Sequence, residues 1–400
     1  MTLKIQEITD KCTGCGACVS ICPKNCLQLE ANNEGFFYPV YNSVNCVECH
    51  LCETTCHILA NVEHKSPNPD NFYLYHSNDS TILESSSSGG GFSMFADWIL
   101  KQGGVVYGSC YNGDTERLEV FSTDQIELNE LRKSKYIESF TGNVFASIRK
   151  NLQSGRYVLY CGTPCQVRGL KQFIETTNTS TELLLTMDFA CHGVPSNRYF
   201  KLFKQMFESK KRKVVDVDFR YKNFKKHDMM WHDMTLRLGF NNGSERIFSR
   251  FSYYYYYYYE PFLDNLFLRE SCYNCDIARH SDADISLGDF WGIHKHRTEL
   301  DDNKGMSFVC INNPKYVNIF EDLSKNDFFE KLPYDAIAYQ YKDNRQKRAS
   351  QVIRRNKFIA NIEKVGYKKA VLNYYGRMNV YRIISTVFIK STIKRIIGWR

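Results

Sequence analysis

Two runs of cysteine near the N-terminus carry the clearest chemistry. KCTGCGACVSICPKN places Cys12, Cys15, Cys18 and Cys22, followed by Pro23, and NCVECHLCETTCHI places Cys46, Cys49, Cys52 and Cys56. Both follow C-x2-C-x2-C-x3-C, the bacterial ferredoxin run in which the fourth cysteine serves the other cluster. The pattern assigns Cys12, Cys15, Cys18 and Cys56 to one 4Fe–4S cluster, and Cys46, Cys49, Cys52 and Cys22 to a second. Zinc is the alternative, but zinc motifs space two cysteine pairs widely instead of packing four cysteines together. Gly14, Gly16 and Ala17 are small enough to let backbone N–H groups approach the sulfurs. His57 stands where the first run has Pro23, and Cys26, outside the pattern, reads as a buried thiol.

A lone Cys-x-x-Cys, Cys272 and Cys275 in SCYNC, is half of a tetrahedral metal site or all of a redox disulfide. Partners for it follow from two other stretches. In RYVLYCGTPCQVRGLKQF, Thr163-Pro164-Cys165-Gln166 is a capping box with proline at the first helical position. Cys165 then sits where the helix dipole is expected to lower its pKa. In LLLTMDFACHGVPS, Cys191 follows a strand and precedes a Gly/Pro turn. Neighbouring strands of a parallel sheet end together at the ligand-binding edge. Cys165, Cys191, Cys272 and Cys275 are therefore the expected ligands of a third 4Fe–4S cluster. Cys161 competes for one position, and three ordinary core cysteines are the plain alternative.

The elements that must position these residues divide 400 residues into more than one domain. Residues 1–62 read as a two-cluster ferredoxin domain and 63–84 as a linker, with the turn formers SPNPDN at its centre. Residues 85–340 read as a flavin and iron–sulfur oxidoreductase domain, and 341–400 as a basic helical tail. GVVYGSC, RYVLYC and ELLLTMDFAC have the pattern of short buried strands, with a helix over 164–175 between the last two. That βαβ unit implies a parallel sheet. MTLRLGF-NNG-SERIFSRF reads as a hairpin turning at Asn242-Gly243, and seven consecutive tyrosines, from Tyr253 to Tyr259, as an aromatic strand or helix entry. The expected fold is a small α+β ferredoxin-like domain, then a larger α/β domain with a mostly parallel core sheet, then the helical tail. SSSSGGGF, before a helical stretch, offers bare amides and a dipole for a phosphate, although a Ser/Gly linker has the same composition.

Composition bounds the setting. An apolar fraction of 43% with 14% aromatic residues supports packed cores and excludes a disordered chain. No secretory leader pattern opens the chain and no long uncharged apolar run crosses it, so a cytoplasmic protein is expected. Its sixteen cysteines then suit metal or redox chemistry better than disulfides. The net charge of +8 is uneven: 16 Lys and Arg against 2 Asp and Glu lie in 341–400, leaving 36 against 42 elsewhere. The tail reads as a solvated or packed face, not a nucleic-acid arm. Val380, Ile383, Ile384, Val387 and Phe388 form one apolar face opposite Arg382, which leaves peripheral membrane contact open.

In chain order, SSSGGG, RKSKYIES, YCGTPCQVRGLK, DFACHGVPS, VDFRYKN, LRESCYNC and DADISLGDFWG resemble the family of coenzyme F-420 hydrogenase/dehydrogenase beta subunits. The resemblance runs from about residue 85 to residue 293. It implies a flavin, FAD, beside a 4Fe–4S cluster, moving electrons between ferredoxin-type clusters and an organic substrate. By motif, Cys165, Cys191, Cys272 and Cys275 match the family's cluster cysteines. Ser87, Ser88, Gly89, Gly90, Lys135, Gly162, Thr163 and Gln166 become flavin-side candidates, with Lys135 suited to a flavin phosphate or the N1–C2=O edge. His192, in the pocket, is the candidate proton relay to substrate; Arg269, Asp284 and Asp289 orient the loop around Cys272 and Cys275. Cys161 in YCG, the tyrosine run and the basic tail depart from the family pattern.

The expected function is an iron–sulfur flavoprotein oxidoreductase served by a redox partner protein or ferredoxin. Its organic substrate is not named by the sequence; the resemblance allows one linked to polysaccharide precursors. The alternative is a non-catalytic electron-relay subunit that docks on another oxidoreductase.

Overall fold

A computed structural model describes residues 3–61, 70–223, 231–250, 252–293, 297–336 and 348–376. Most of the SPNPDN linker, and the whole 379–400 stretch with its membrane contact, lie outside the described residues.

The N-terminal module is a hairpin of β1 (Leu27–Ala31) and β2 (Phe37–Tyr41) with two short helices, α1 (Ala17–Ile21) and α2 (Leu51–Thr54). The tight cysteine spacing leaves no length for larger elements. Cys12, Cys18, Cys52 and Cys56 themselves fill its core with Leu3, Ile5, Ile8 and Leu27.

Behind the module stands a large sheet. The chain contributes β3 (Phe72–His76), helix α3 (Gly91–Lys101), β4 (Val105–Asn112), β5 (Arg117–Ser122), β6 (Ser139–Phe140) and α4 (Val144–Gln153). The βαβ unit follows as β7 (Val158–Cys161), α5 (Pro164–Thr176) and β8 (Leu184–Phe189). After α6 (Asn197–Gln205) the chain leaves for a separate antiparallel sheet of β9 (Val214–Asp218), β10 (Leu236–Phe240) and β11 (Glu245–Phe248). The β10–β11 connection turns at Asn242-Gly243, where Gly243 has φ +77°. The chain returns as β12 (Ile285–Asp289), β13 (Ser307–Ile311) and β14 (Phe328–Leu332).

Among the described residues the large sheet has nine strands, ordered β14-β3-β13-β12-β8-β7-β4-β5-β6. It is mixed, which corrects the expectation of a mostly parallel core. The β12–β8, β8–β7, β7–β4 and β5–β6 pairings are parallel, whereas β14–β3, β3–β13, β13–β12 and β4–β5 are antiparallel. A buried apolar run reads the same in either direction, so periodicity could not reveal the reversed flank. The parallel centre is the part that matters to the cysteines.

The two sheet faces are packed differently. Val158 and Tyr160 of β7 pack with Phe145 and Ile148 of α4 and Leu170 and Phe173 of α5, and Ala17 of α1 joins this core. Leu159, on the other face, packs with Phe95 and Ile99 of α3. This period-two alternation turns Tyr160 toward the N-terminal module and Cys161 away from it.

The tyrosine run is a helix entry, a 3₁₀ turn over Tyr253–Tyr257 leading into a helix at Tyr259–Leu263. Tyr255 to Tyr259 are buried, and their hydroxyls reach backbone carbonyls where burial demands it: Tyr258 donates to Tyr136 O and Tyr259 to Phe219 O, both at 2.7 Å. Helices α7 (Arg348–Val365) and α8 (Tyr367–Tyr375) pack on this cluster through Phe358, Ile362, Tyr367 and Val371. The described part of the basic tail is therefore packed on the body. Among the described residues no helix is long and apolar enough to cross a membrane.

Candidate functional site

The two cysteine runs exchange their fourth members. Cys12, Cys15, Cys18 and Cys56 line one small cavity with Ile5 and Leu29. Cys22, Cys46, Cys49 and Cys52 line a second, with Cys26 beside them. Cys26 is buried, and its backbone N–H donates to Cys22 Sγ at 3.2 Å. Gly14 and Gly16 take left-handed φ values of +69° and +79°, so the first run bends tightly there. Burial pushes the Cys15 thiol up to about 12, with Cys56 and Cys12 adding to the rise against an opposing hydrogen bond from the Ala17 backbone. Cys18 is pushed well up by burial and then by Cys15, Cys12 and Cys56. Thiols in such surroundings ionise only against a cation.

Among the described residues, no group of three or more His, Cys, Asp or Glu side chains could hold a single metal ion. A tetrahedral zinc would draw its sulfurs to about 4 Å from one another.

The lone Cys-x-x-Cys has its predicted neighbours. Gln166 Oε1 accepts the Thr163 N–H at 3.1 Å, as the capping box requires, and holds Cys165 in the first turn of α5. β7 and β8 are parallel neighbours in register Cys161↔Met187, so the segments carrying Cys165 and Cys191 leave the same sheet edge. The turn after Cys191 folds onto the turn Glu270–Asn274, which holds Cys272. Pro195 bridges Leu268, and Arg269 N–H donates to Val194 O at 2.9 Å. A β-carbon on Gly193, whose φ is +127°, would lie 3.3 Å from Cys272 Cβ.

The Cys165 thiol is pushed well up, by burial first and then by Cys275, Cys191 and Cys272; Thr163 Oγ1, 3.1 Å from its sulfur, works the other way. The expected lowering by the helix dipole is therefore outweighed in the bare thiol. Cys161 does not join this group. It faces Asp188 and Lys135, and burial, then Asp188, pushes it up to about 12.

Helix α5 also ties this group to the module. A β-carbon on Gly169 would stand 2.7 Å from Cys15 Sγ. Gly169 is one helical turn, about 6 Å, beyond Cys165. Tyr160 lies under the influence of both Cys15 and Cys165, and its buried hydroxyl has no hydrogen-bond partner among the described residues.

A cavity of about 390 Å³ opens beside the third cysteine group. Ser87, Ser88, Gly90, Lys135, Gly162, Thr163, Gln166, Cys191 and His192 all line it. Gly89 does not; its N–H donates to Ser307 Oγ at 2.9 Å, and a β-carbon there would run into Tyr75 O. Gly89 thus shapes the serine loop from behind, a correction to its expected place on the ligand side. His192 packs edge-on against Phe262, ring centres 4.9 Å apart. Phe189, Leu263 and Trp291, 37%, 41% and 38% exposed, line the same cavity and give it exposed apolar surface.

Lys135 turns its ammonium back onto Glu130 O, at 3.1 Å, and Arg132 O. Burial lowers its pKa to about 8, opposed by Cys110, Asp218 and Cys161. The neighbouring Ser134 N–H donates to Ser87 Oγ at 2.7 Å, pinning the RKSKY turn to the serine loop.

Two buried basic side chains that sequence reasoning missed hold that loop by its carbonyls, although burial, and then Arg220, pushes the Lys222 amine well below its ordinary value. Arg220 donates to Ser87 O at 3.2 Å and pairs with Asp289 at 2.5 Å. Lys222 Nζ donates to Leu83 O, Ser88 O and Lys304 O at 3.2, 3.1 and 2.7 Å. Their signal was present as cations two residues apart in VDFRYKN, which extended chain places on one side. Through Arg220, Asp289 thus acts on the serine loop. Asp284 accepts both the N–H and Oγ1–H of Thr186, at 2.8 and 2.7 Å, and fixes the segment before β12 to β8.

Comparison with known proteins finds two matching segments. Residues 155–336 match the family described as the C terminus of the beta subunit of coenzyme F420 hydrogenase/dehydrogenase, and residues 11–60 match the 4Fe-4S dicluster domain. Among curated proteins, a subunit of the F(420)H(2) dehydrogenase of Methanosarcina mazei is 24% identical over 234 residues, 55% of this chain and 65% of the relative. The match thus spans less than two thirds of that relative's length. A chain in a solved structure of the F420-reducing [NiFe] hydrogenase complex from Methanosarcina barkeri is 13% identical, with a TM-score of 0.42, over 75% of this chain and 93% of that one. The resemblance read from the motifs is borne out at the level of these matches: one segment is similar to the 4Fe-4S dicluster domain and another to the C terminus of F420 hydrogenase/dehydrogenase beta subunits.

Proposed function

We propose that this chain is an iron–sulfur flavoprotein oxidoreductase, passing electrons between its ferredoxin-type clusters and an organic substrate in the large cavity. The observation that carries this reading is the line of three cysteine groups ending at that cavity. Cys49 is exposed, with Cys22 and Cys46 half-buried, at the outer group; Cys12, Cys18 and Cys56 are buried at the next. Gly169 and Cys165 then link the Cys15 group to the cavity along one helix.

Cys165, Cys191, Cys272 and Cys275 would hold the third cluster, and a flavin would lie in the cavity with its phosphate end on the serine loop and the start of α3. Bound there, the clusters supply one-electron steps and the flavin converts them to two-electron chemistry. The residues fit such groups: the thiols are buried and protonated in isolation, so a cationic core is what would ionise them. Tyr160 and Arg269 each keep a buried polar atom without a partner next to them. His192, at the cavity wall, is the group placed to hand a proton to substrate.

Anaerobic iron, sulfide and flavin analysis tests the reading. About twelve irons and one flavin per chain are expected. Eight irons would remove the third cluster. Absence of flavin, with no substrate-dependent reoxidation of the reduced protein, would leave a relay subunit. One feature favours that second reading. Val40, Val44 and Val47, 44%, 84% and 58% exposed, flank Cys46 and Cys49 and suit a docked redox protein.

A further inference from the structure

Arg269 lies in the seam between two of the cysteine groups. Its side chain is 1% exposed. Nε donates to Cys12 O at 2.7 Å, and Nη1 pairs with Glu138. The ring of Tyr38, from the N-terminal module, lies 4.1 Å from the guanidinium carbon. Its own backbone N–H is bonded to Val194 O, and Cys272 follows three residues later. Cys12 on one side and Cys272 on the other both act on its charge. Nη2 is buried and has no hydrogen-bond partner among the described residues.

Glu138 is held by the same seam. Its second oxygen accepts the Phe37 N–H at 3.0 Å, and its backbone N–H donates to Pro195 O at 2.8 Å. The cysteine loop passes directly over the pair: a β-carbon on Gly14 would lie 2.9 Å from Glu138 Oε1 and 3.0 Å from Arg269 Nη1. A buried guanidinium that spends one nitrogen on nothing is costly, and an anionic sulfur is the partner such a nitrogen suits.

We infer that Arg269 is a shared electrostatic tuner of two clusters, the one on Cys12, Cys15, Cys18 and Cys56 and the one on Cys165, Cys191, Cys272 and Cys275. This rests on the three-cluster reading above. Each such cluster gains one negative charge on reduction, and a fixed cation in a poorly polarisable seam favours the reduced state. Nη2–H donated to a sulfur acts in the same direction. Because one cation serves both, the two potentials rise together. One electron lost by one cluster is gained by the other, no bond changes, and Arg269 keeps its proton throughout. Glu138 opposes the effect, so the two partners have opposite signs.

The test is an anaerobic redox titration of the full-length, iron-loaded protein, with dithionite as reductant and electron paramagnetic resonance as readout. R269Q is expected to make these two clusters at least tenfold harder to reduce, a 59 mV fall for one electron. The cluster on Cys22, Cys46, Cys49 and Cys52 should not move. E138Q is expected to shift the same two clusters the other way. Shifts of the same sign in both variants, equal shifts in all three clusters, or no shift would overturn the inference. If R269Q fails to hold its iron, E138Q decides alone: an upward shift confined to the two clusters supports the inference and its absence overturns it. Iron analysis separates the two levels. Twelve irons with unmoved potentials overturn the role of Arg269 only, whereas eight irons in the unmodified protein overturn the three-cluster reading and this inference with it.

Discussion

The sulfur of Cys15 rests against Gly169, so close that a β-carbon there would stand 2.7 Å from Cys15 Sγ and 2.9 Å from Cys15 Cβ. Gly169 is a mid-helix residue of α5, where alanine would ordinarily stabilise by roughly 1 kcal/mol. Here overpacking, worth roughly 1–3 kcal/mol, is expected to win. Gly169→Ala should lower the melting temperature and displace Cys15, with iron falling toward eight atoms per chain. A more stable variant with full iron would show that the module does not dock through this helix.

The chemistry of the site was more legible than the sheet that carries it. Cysteine spacing is short-range and set by covalent reach, so the Cys22 and Cys56 exchange could be read directly from two runs. The capping box at Thr163 and the β7–α5–β8 crossover are equally local, and together they brought Cys165 and Cys191 to one edge. What escaped was long-range and directional. β3 and β13 pair from opposite ends of the chain, and nothing in FYLYH or SFVCI states which way each runs. Arg220 and Lys222 were invisible as loop holders because their partners are carbonyls, which every residue carries.

Cys272→Ser tests the third group without touching the ferredoxin runs. The variant is expected to keep about eight irons and lose about four, with one of three cluster signals abolished and flavin retained. Retention of all iron would exclude Cys272 as a ligand and reopen the place for Cys161. The measurement is iron content alongside electron paramagnetic resonance of the reduced protein.

Lys222→Met should loosen the serine loop. The change removes three hydrogen bonds to carbonyls, two of them buried, and each buried carbonyl left unpaired costs roughly 1–3 kcal/mol. Flavin affinity is expected to fall at least tenfold while the iron content of the N-terminal module is unchanged. Equilibrium dialysis of flavin, with iron assayed on the same samples, checks both halves.

The pKa of Lys135, lowered by burial to about 8, gives flavin binding a pH dependence. Its ammonium is mostly present at pH 7 and mostly lost at pH 9. An anionic group held by that charge should therefore bind up to about tenfold more weakly at pH 9, provided the ligand itself does not titrate in that window. A bound anion favours the charged lysine and moves the midpoint above 8. For stability the sign is opposite: between about 8 and the ordinary lysine value the unfolded chain binds more protons, so folding strengthens as pH rises through that window. Flavin dissociation constants at pH 7, 8 and 9 check the first claim, with Lys135→Met expected to flatten the profile. A profile unchanged by the substitution would place Lys135 in the wall of the cavity without a hold on the ligand.

Tyr160 offers a test whose sign depends on what lies between Cys15 and Cys165. Its hydroxyl is fully buried and lacks a partner among the described residues. In iron-free protein, then, Tyr160→Phe removes an unsatisfied group and should stabilise by roughly 1–3 kcal/mol. With clusters bound, an anionic sulfur becomes available, and the same substitution should instead cost roughly 1.5–3 kcal/mol, the worth of a hydrogen bond to a charged group. Denaturant melts of both forms of both proteins read the difference. Reversal of sign on iron loading is the expected outcome. Equal effects in the two forms would mean that the hydroxyl never meets a cluster, and the path along α5 would lose its polar link.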